Sequence, residues 1–124
     1  MAWIAVAVGG AFGSMARHGV NQIVARRWPT LPFPLATLIV NVVGCLVIGL
    51  LAGLIAADRI GMRTPWRELV FVGILGGFTT FSSFGLDTIV LARSPSPSLA
   101  VWNVAAQLGL GLAAVYGGLI VGMR

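Results

Sequence analysis

Charge is what this chain has least of. Only 9% of its 124 residues are charged, against about 25% in a soluble domain. Lysine is absent: all eight basic residues are arginines, and the three acids are Asp58, Glu68 and Asp87. So few charges cannot cover a water-facing surface, which excludes a soluble enzyme, a secreted scaffold and a disordered tail. The single cysteine, Cys45, sits inside an apolar run, so one chain can form no disulfide. The single histidine, His18, cannot by itself build a catalytic triad or a metal cluster, and no phosphate-binding loop is present. A net charge of +5 and a pI near 11.5 raise the question of nucleic acid. The arginines, however, are spread between apolar runs and form no basic patch, so nucleic acid is not expected as a partner.

What the chain does have is apolar sequence, 58% of the total, with a mean hydropathy of +0.99. A helix crosses the hydrocarbon core of a bilayer with about 20 mostly apolar residues. Residues 31–57, 69–86 and 99–123 carry no charge, and a fourth run over residues 2–16 continues past Arg17 to Ala25. These runs predict an all-α membrane protein with one domain over residues 1–124. Four transmembrane helices are expected at about 3–25, 33–57, 67–92 and 99–123. Proline, serine and charge gather in the three links and mark them as surface turns. Trp3, Trp28, Trp66 and Trp102 fall at run ends, where amphipathic rings suit the headgroup layer. The N-terminus has no basic leader region and reads as a span, not a cleaved signal.

Glycine is plentiful, with 17 copies, several of them four apart: Gly9 and Gly13, Gly49 and Gly53, Gly73 and Gly77, Gly118 and Gly122. In lipid such spacing lets helices approach closely, so a tight bundle is expected. Four spans put Arg59, Arg63, Arg67 and Arg124 on one side and Arg26, Arg27 and Arg93 on the other. Four against three is almost no orienting bias, since excess Lys and Arg on the cytoplasmic side normally sets topology. Copies inserted both ways would then form an antiparallel homodimer. Such a dimer supplies by assembly the inverted symmetry that larger transporters build from internal repeats.

The polar residues inside the runs point to transport. The third run reads Gly76-Gly77-Phe78-Thr79-Thr80-Phe81-Ser82-Ser83-Phe84, a poor continuous helix, so a break in mid-span is expected. Carbonyls freed in hydrocarbon need protein, water or an ion as partner. Phe81 and Phe84, three apart, share a helix face. Their positive ring edges offer a small anion a path that does not bind it tightly. Thr37 and Asn41 lie one turn apart on the second span, and Asn41 carries amide donors; both also suit plain interhelical hydrogen bonding. Arg17 either snorkels to the interface or faces a watery vestibule. A small cation-coupled multidrug exporter would need a carboxylate in its first helix, where this chain has an arginine.

Three motifs in order carry a resemblance. Gly9-Gly10-x-x-Gly13-x-x-x-Arg17, Thr37-Leu-Ile-Val-Asn41 and the Gly76–Phe84 run together resemble the Fluc family of fluoride channels, also called CrcB proteins, over essentially all four spans. The resemblance implies a dual-topology antiparallel homodimer in the inner membrane, with two fluoride pores and passive fluoride export. It implies a structural sodium ion on the dimer axis, held by the carbonyls of Gly76 and Thr79. It also implies pore phenylalanines Phe81 and Phe84, fluoride donation from Asn41, a polar track including Thr37 and Ser82, and Arg17 in the vestibule. Asp87 stands where the family has a glutamate. Gly85 replaces a frequent serine, and the fourth span offers Gln107 and Tyr116, with Gly111 and Val115 at expected hydroxyl positions. The alternatives are the cation-coupled exporter and a helper subunit with no transport of its own.

Overall fold

The computed structural model describes residues 2–124. Its helices are α1 (Ala2–Arg27), α2 (Leu35–Ala56), α3, α4 (Phe81–Ala92) and α5 (Ser98–Met123). Helix α3 winds first in wide π turns over Glu68–Leu75 and then in α geometry over Gly76–Phe78. There is no strand among the described residues. The expected ends at 3, 25, 33, 57, 67, 92, 99 and 123 fall within two residues of the observed ones. Pro34 and Pro97 stand at the N-caps of α2 and α5, where a missing N–H costs nothing.

Three segments are long and apolar enough to cross a membrane: Leu35–Ala56, Glu68–Ala92 and Ser98–Met123. The fourth expected span, α1, is present as a helix of 26 residues but is less apolar than the other three. Helix α1 has the length, but Arg17, His18, Asn21, Gln22, Arg26 and Arg27 make its C-terminal half polar. Arg26 and Arg27 complement the negative end of that helix, and the Arg27 guanidinium lies 5.6 Å over the Trp28 ring.

The bundle is built from two helix pairs, α1 with α3 and α2 with α5, and α4 also leans on α5. Backbone touches backbone in both pairs. A Cβ on Gly77 would lie 2.7 Å from the Gly10 carbonyl, and one on Gly118 would strike the Leu46 carbonyl. Close approach requires glycine there, as the four-residue spacing anticipates. The apolar core is correspondingly thin, with Val40, Leu75, Leu91 and Ala100 buried. Large apolar side chains such as Phe12, Met15, Leu112 and Val121 face outward, the arrangement of a protein whose solvent is lipid.

Candidate functional site

The site is organised around two residues of extended backbone. Thr79 (φ −83°, ψ 160°) closes α3, and Thr80 (φ −153°, ψ 115°) precedes α4. The local sequence favours this. Gly76 and Gly77 weaken the helix, and the β-branched threonines accept extended geometry readily. Thr80 also caps α4, its Oγ1 accepting from the Ser83 amide at 3.2 Å. The Thr79 hydroxyl donates back to the Leu75 carbonyl at 2.9 Å. Its methyl occupies the space that a Cβ on Gly44 would need.

Asn41 ties this segment to α2. Its Oδ1 accepts from the Thr80 amide at 2.8 Å, and its Nδ2 donates to the Thr80 carbonyl at 3.1 Å and to Gln107 Oε1 at 3.0 Å. A backbone amide can only donate, so the Thr80 N–H decides which end of Asn41 is oxygen. Asn41 in turn decides the orientation of Gln107. The remaining Gln107 Nε2 is buried with no hydrogen-bond partner among the described residues. Both Asn41 amide hydrogens are therefore engaged within the protein.

A cavity of about 420 Å³ opens beside this segment. Its wall includes Asn41, Gly76, Thr79, Phe81 and Phe84, all singled out by the sequence, together with Thr80, Gln107, Cys45 and apolar neighbours. The Phe81 and Phe84 rings sit 5.4 Å apart at 63°, an edge-to-face pair. Phe81 is 81% exposed, so most of its ring is open to whatever lies beside this chain.

Three residues named from the sequence lie off the wall. Ser82 is exposed, its Oγ 3.3 Å from the Thr80 hydroxyl. Thr37 is one turn from Asn41 and donates to Asp87 Oδ2 at 2.7 Å, joining α2 to α4. Arg17 reaches from α1, its Nη1 donating to the Thr79 carbonyl at 3.3 Å.

One buried polar residue was not legible as a site residue. Asn103 is fully buried and donates through Nδ2 to the Thr88 hydroxyl at 2.9 Å, which itself donates to the Phe84 carbonyl at 2.8 Å. Asn103 Oδ1 has no partner among the described residues. The four-residue spacing of Asn103 and Gln107 puts both amides on one face of α5, and that spacing was the available signal.

A hard cation such as sodium is bound by oxygen atoms, backbone carbonyls among them. Among the described residues no cluster of His, Cys, Asp or Glu could hold a metal. The extended segment offers carbonyls instead. In an uninterrupted helix the Thr80 amide would bond the Gly76 carbonyl, but it bonds Asn41. The backbone at Gly76 is open, since a Cβ there would meet only the Phe71 carbonyl, at 3.9 Å. The donor chemistry of Gly76 and Thr79 fits sodium, and the Thr79 carbonyl already attracts a cationic side chain.

Residues 4–119 match the family described as CrcB-like protein, Camphor Resistance (CrcB). A "Fluoride-specific ion channel FluC" of Paracoccus denitrificans is 48% identical over 120 residues, covering 97% of this chain and 93% of its own length. Another protein so named, from Methylobacillus flagellatus, is 47% identical over 108 residues, covering 86% of this chain and 83% of its own. A third, from Rhizobium leguminosarum bv. trifolii, is 49% identical over 117 residues, covering 94% and 91%.

Proposed function

The chain belongs to the CrcB-like family, and from that premise we propose that it is a fluoride-selective channel through which fluoride passively leaves the cell. It is a multi-pass membrane protein and not an enzyme. The observation that carries the proposal is the cavity in which the Phe81 and Phe84 rings meet the amide wall of Asn41 and Gln107. Hydrogen fluoride is a weak acid that crosses membranes neutral and ionises inside. The trapped anion is then driven out by the membrane potential through any open path.

A pore for a small, strongly hydrated anion must replace water without trapping the ion. Ring edges supply weak positive potential, and amide hydrogens and hydroxyls supply stronger bonds. In this reading fluoride passes Phe81 and Phe84 with Asn41, Ser82 and Thr37 beside it, and Arg17 raises anion concentration in the vestibule. Donation to fluoride requires Asn41 to exchange one of its two present acceptors. The inner membrane is the proposed location, and α1 is the proposed fourth crossing, with Arg17 on the bundle side.

Assembly completes the site. The near balance of arginines supports dual topology and an antiparallel homodimer, and exposed Phe81 and Gly76 support a second copy beside the extended segment. The Gly76 and Thr79 carbonyls of each subunit would hold sodium at the axis, with the interruption of α3 and α4 lying in mid-membrane. When bound, that ion supplies positive charge to carbonyls that no helix satisfies. Nothing favours the cation-coupled exporter, for α1 carries no carboxylate. The test is flux from proteoliposomes loaded with fluoride or chloride. Fluoride efflux with chloride retained is expected; loss of both ions, or of neither, overturns the reading.

A further inference from the structure

Arg17 is a half-buried guanidinium aimed at a backbone oxygen, the Thr79 carbonyl, across 62 residues of chain. That carbonyl lies at the C-terminal end of α3, where unsatisfied carbonyls concentrate negative potential. A cation is stabilising there whether it is a side chain or a free ion. Among the described residues Arg17 is the one charged side chain that bonds the extended segment. We propose that Arg17 is a tethered competitor of the axial sodium ion: guanidinium and sodium share the Thr79 carbonyl, and each weakens the other's hold.

The inference rests on the sodium reading above and adds to it a residue that sets the affinity. A carbonyl oxygen has two lone pairs, so sodium can arrive before the guanidinium has left. Sharing it brings two positive charges within a few ångströms in a poorly screened site, and the repulsion counts against both. In a lone protomer the guanidinium caps the carbonyl alone. When two protomers bring four carbonyls together, sodium takes the seam and Arg17 is displaced toward the vestibule. There its charge faces the anion. One side chain thus serves the unassembled subunit and the assembled pore in turn.

The test uses the full chain in detergent, with N-methyl-D-glucamine as the balancing cation and sodium chloride as the titrant. A ligand held only by the folded form raises the unfolding temperature as its concentration passes its dissociation constant. Arg17→Gln is expected to lower the sodium midpoint about tenfold, the size of an ordinary coupling between two sites. Arg93→Gln, which removes the same charge from the last link, is expected to keep the wild-type midpoint. Assembly of Arg17→Gln only in the presence of sodium would also support the proposal, because the ion then replaces the missing charge. In the wild type, the side-chain 15N resonance of Arg17, identified by its loss in Arg17→Lys, is expected to shift with the same sodium midpoint. An unchanged or raised midpoint in Arg17→Gln, or an Arg17 resonance that sodium does not move, overturns the competition while leaving sodium binding intact. Absence of any sodium effect on the wild type or the variants overturns the sodium reading, and the competition with it.

Discussion

At the residue scale, the site turns on a few polar atoms whose partners are decided by chemistry. Asn41 holds the amide and carbonyl of Thr80 and the oxygen of Gln107. Replacing it by Leu leaves three buried groups unpaired, each costing about 1–3 kcal/mol. Asn41→Leu is therefore expected to lower the unfolding temperature in detergent markedly, by more than Asn41→Asp, which still accepts from the Thr80 amide. The rings make a different contribution. Phe81→Ile or Phe84→Ile keeps apolar bulk and removes the ring edge, whose interactions are worth about 0.5–1.5 kcal/mol. Fluoride flux in proteoliposomes is expected to fall about tenfold while the elution position in detergent stays that of the wild type; each 1.36 kcal/mol of barrier is about tenfold in rate. Phe78→Ile, ahead of the extended segment, is expected to change flux little. Wild-type flux in both Phe81→Ile and Phe84→Ile would make these rings packing residues. The phenylalanines were legible because position alone put them on one face. The engagement of Asn41 was not, because the acceptors of its two hydrogens come from 39 and 66 residues away.

At the element scale, glycine decides which helices touch. On α3, a Cβ on Gly77 would meet the Gly10 carbonyl at 2.7 Å and the Ser14 amide at 3.2 Å, all backbone that cannot step aside. Gly77→Ala is expected to force α1 and α3 apart and destabilise the bundle by about 1–3 kcal/mol, the usual cost of overpacking. Gly109→Ala, where a Cβ would meet nothing within 4 Å, is expected to be neutral or slightly stabilising, because alanine is the better helix former. Thermal unfolding of the two variants side by side checks the contrast. Both glycines lie in apolar helical runs and look alike in the sequence. The difference between them is a neighbouring backbone, which belongs to the fold. The π turns over Glu68–Leu75 have no sequence signal that we can name.

At the scale of the whole molecule, the arginine count bears on how the chain enters the membrane. With three arginines against four on the two sides, reporter fusions at the C-terminus are expected to be active in both compartments. Adding two or three lysines to one link is expected to force a single orientation, and that form alone should support no fluoride flux. Reporter signal confined to one compartment would exclude dual topology. The sequence by itself determined the medium, the number and extent of the long helices and the residue types available to meet an anion. Each of these follows from composition and short-range spacing, which the chain carries locally. Tertiary structure alone decided that Thr37 answers to Asp87, that Asn103 meets Thr88 and Gln107 meets Asn41, and that Arg17 reaches the Thr79 carbonyl. Those pairings join separate helices, and no local pattern specifies them. They arise where glycine contacts set the spacing of the helix pairs, and where polar groups cut off from water must find one another.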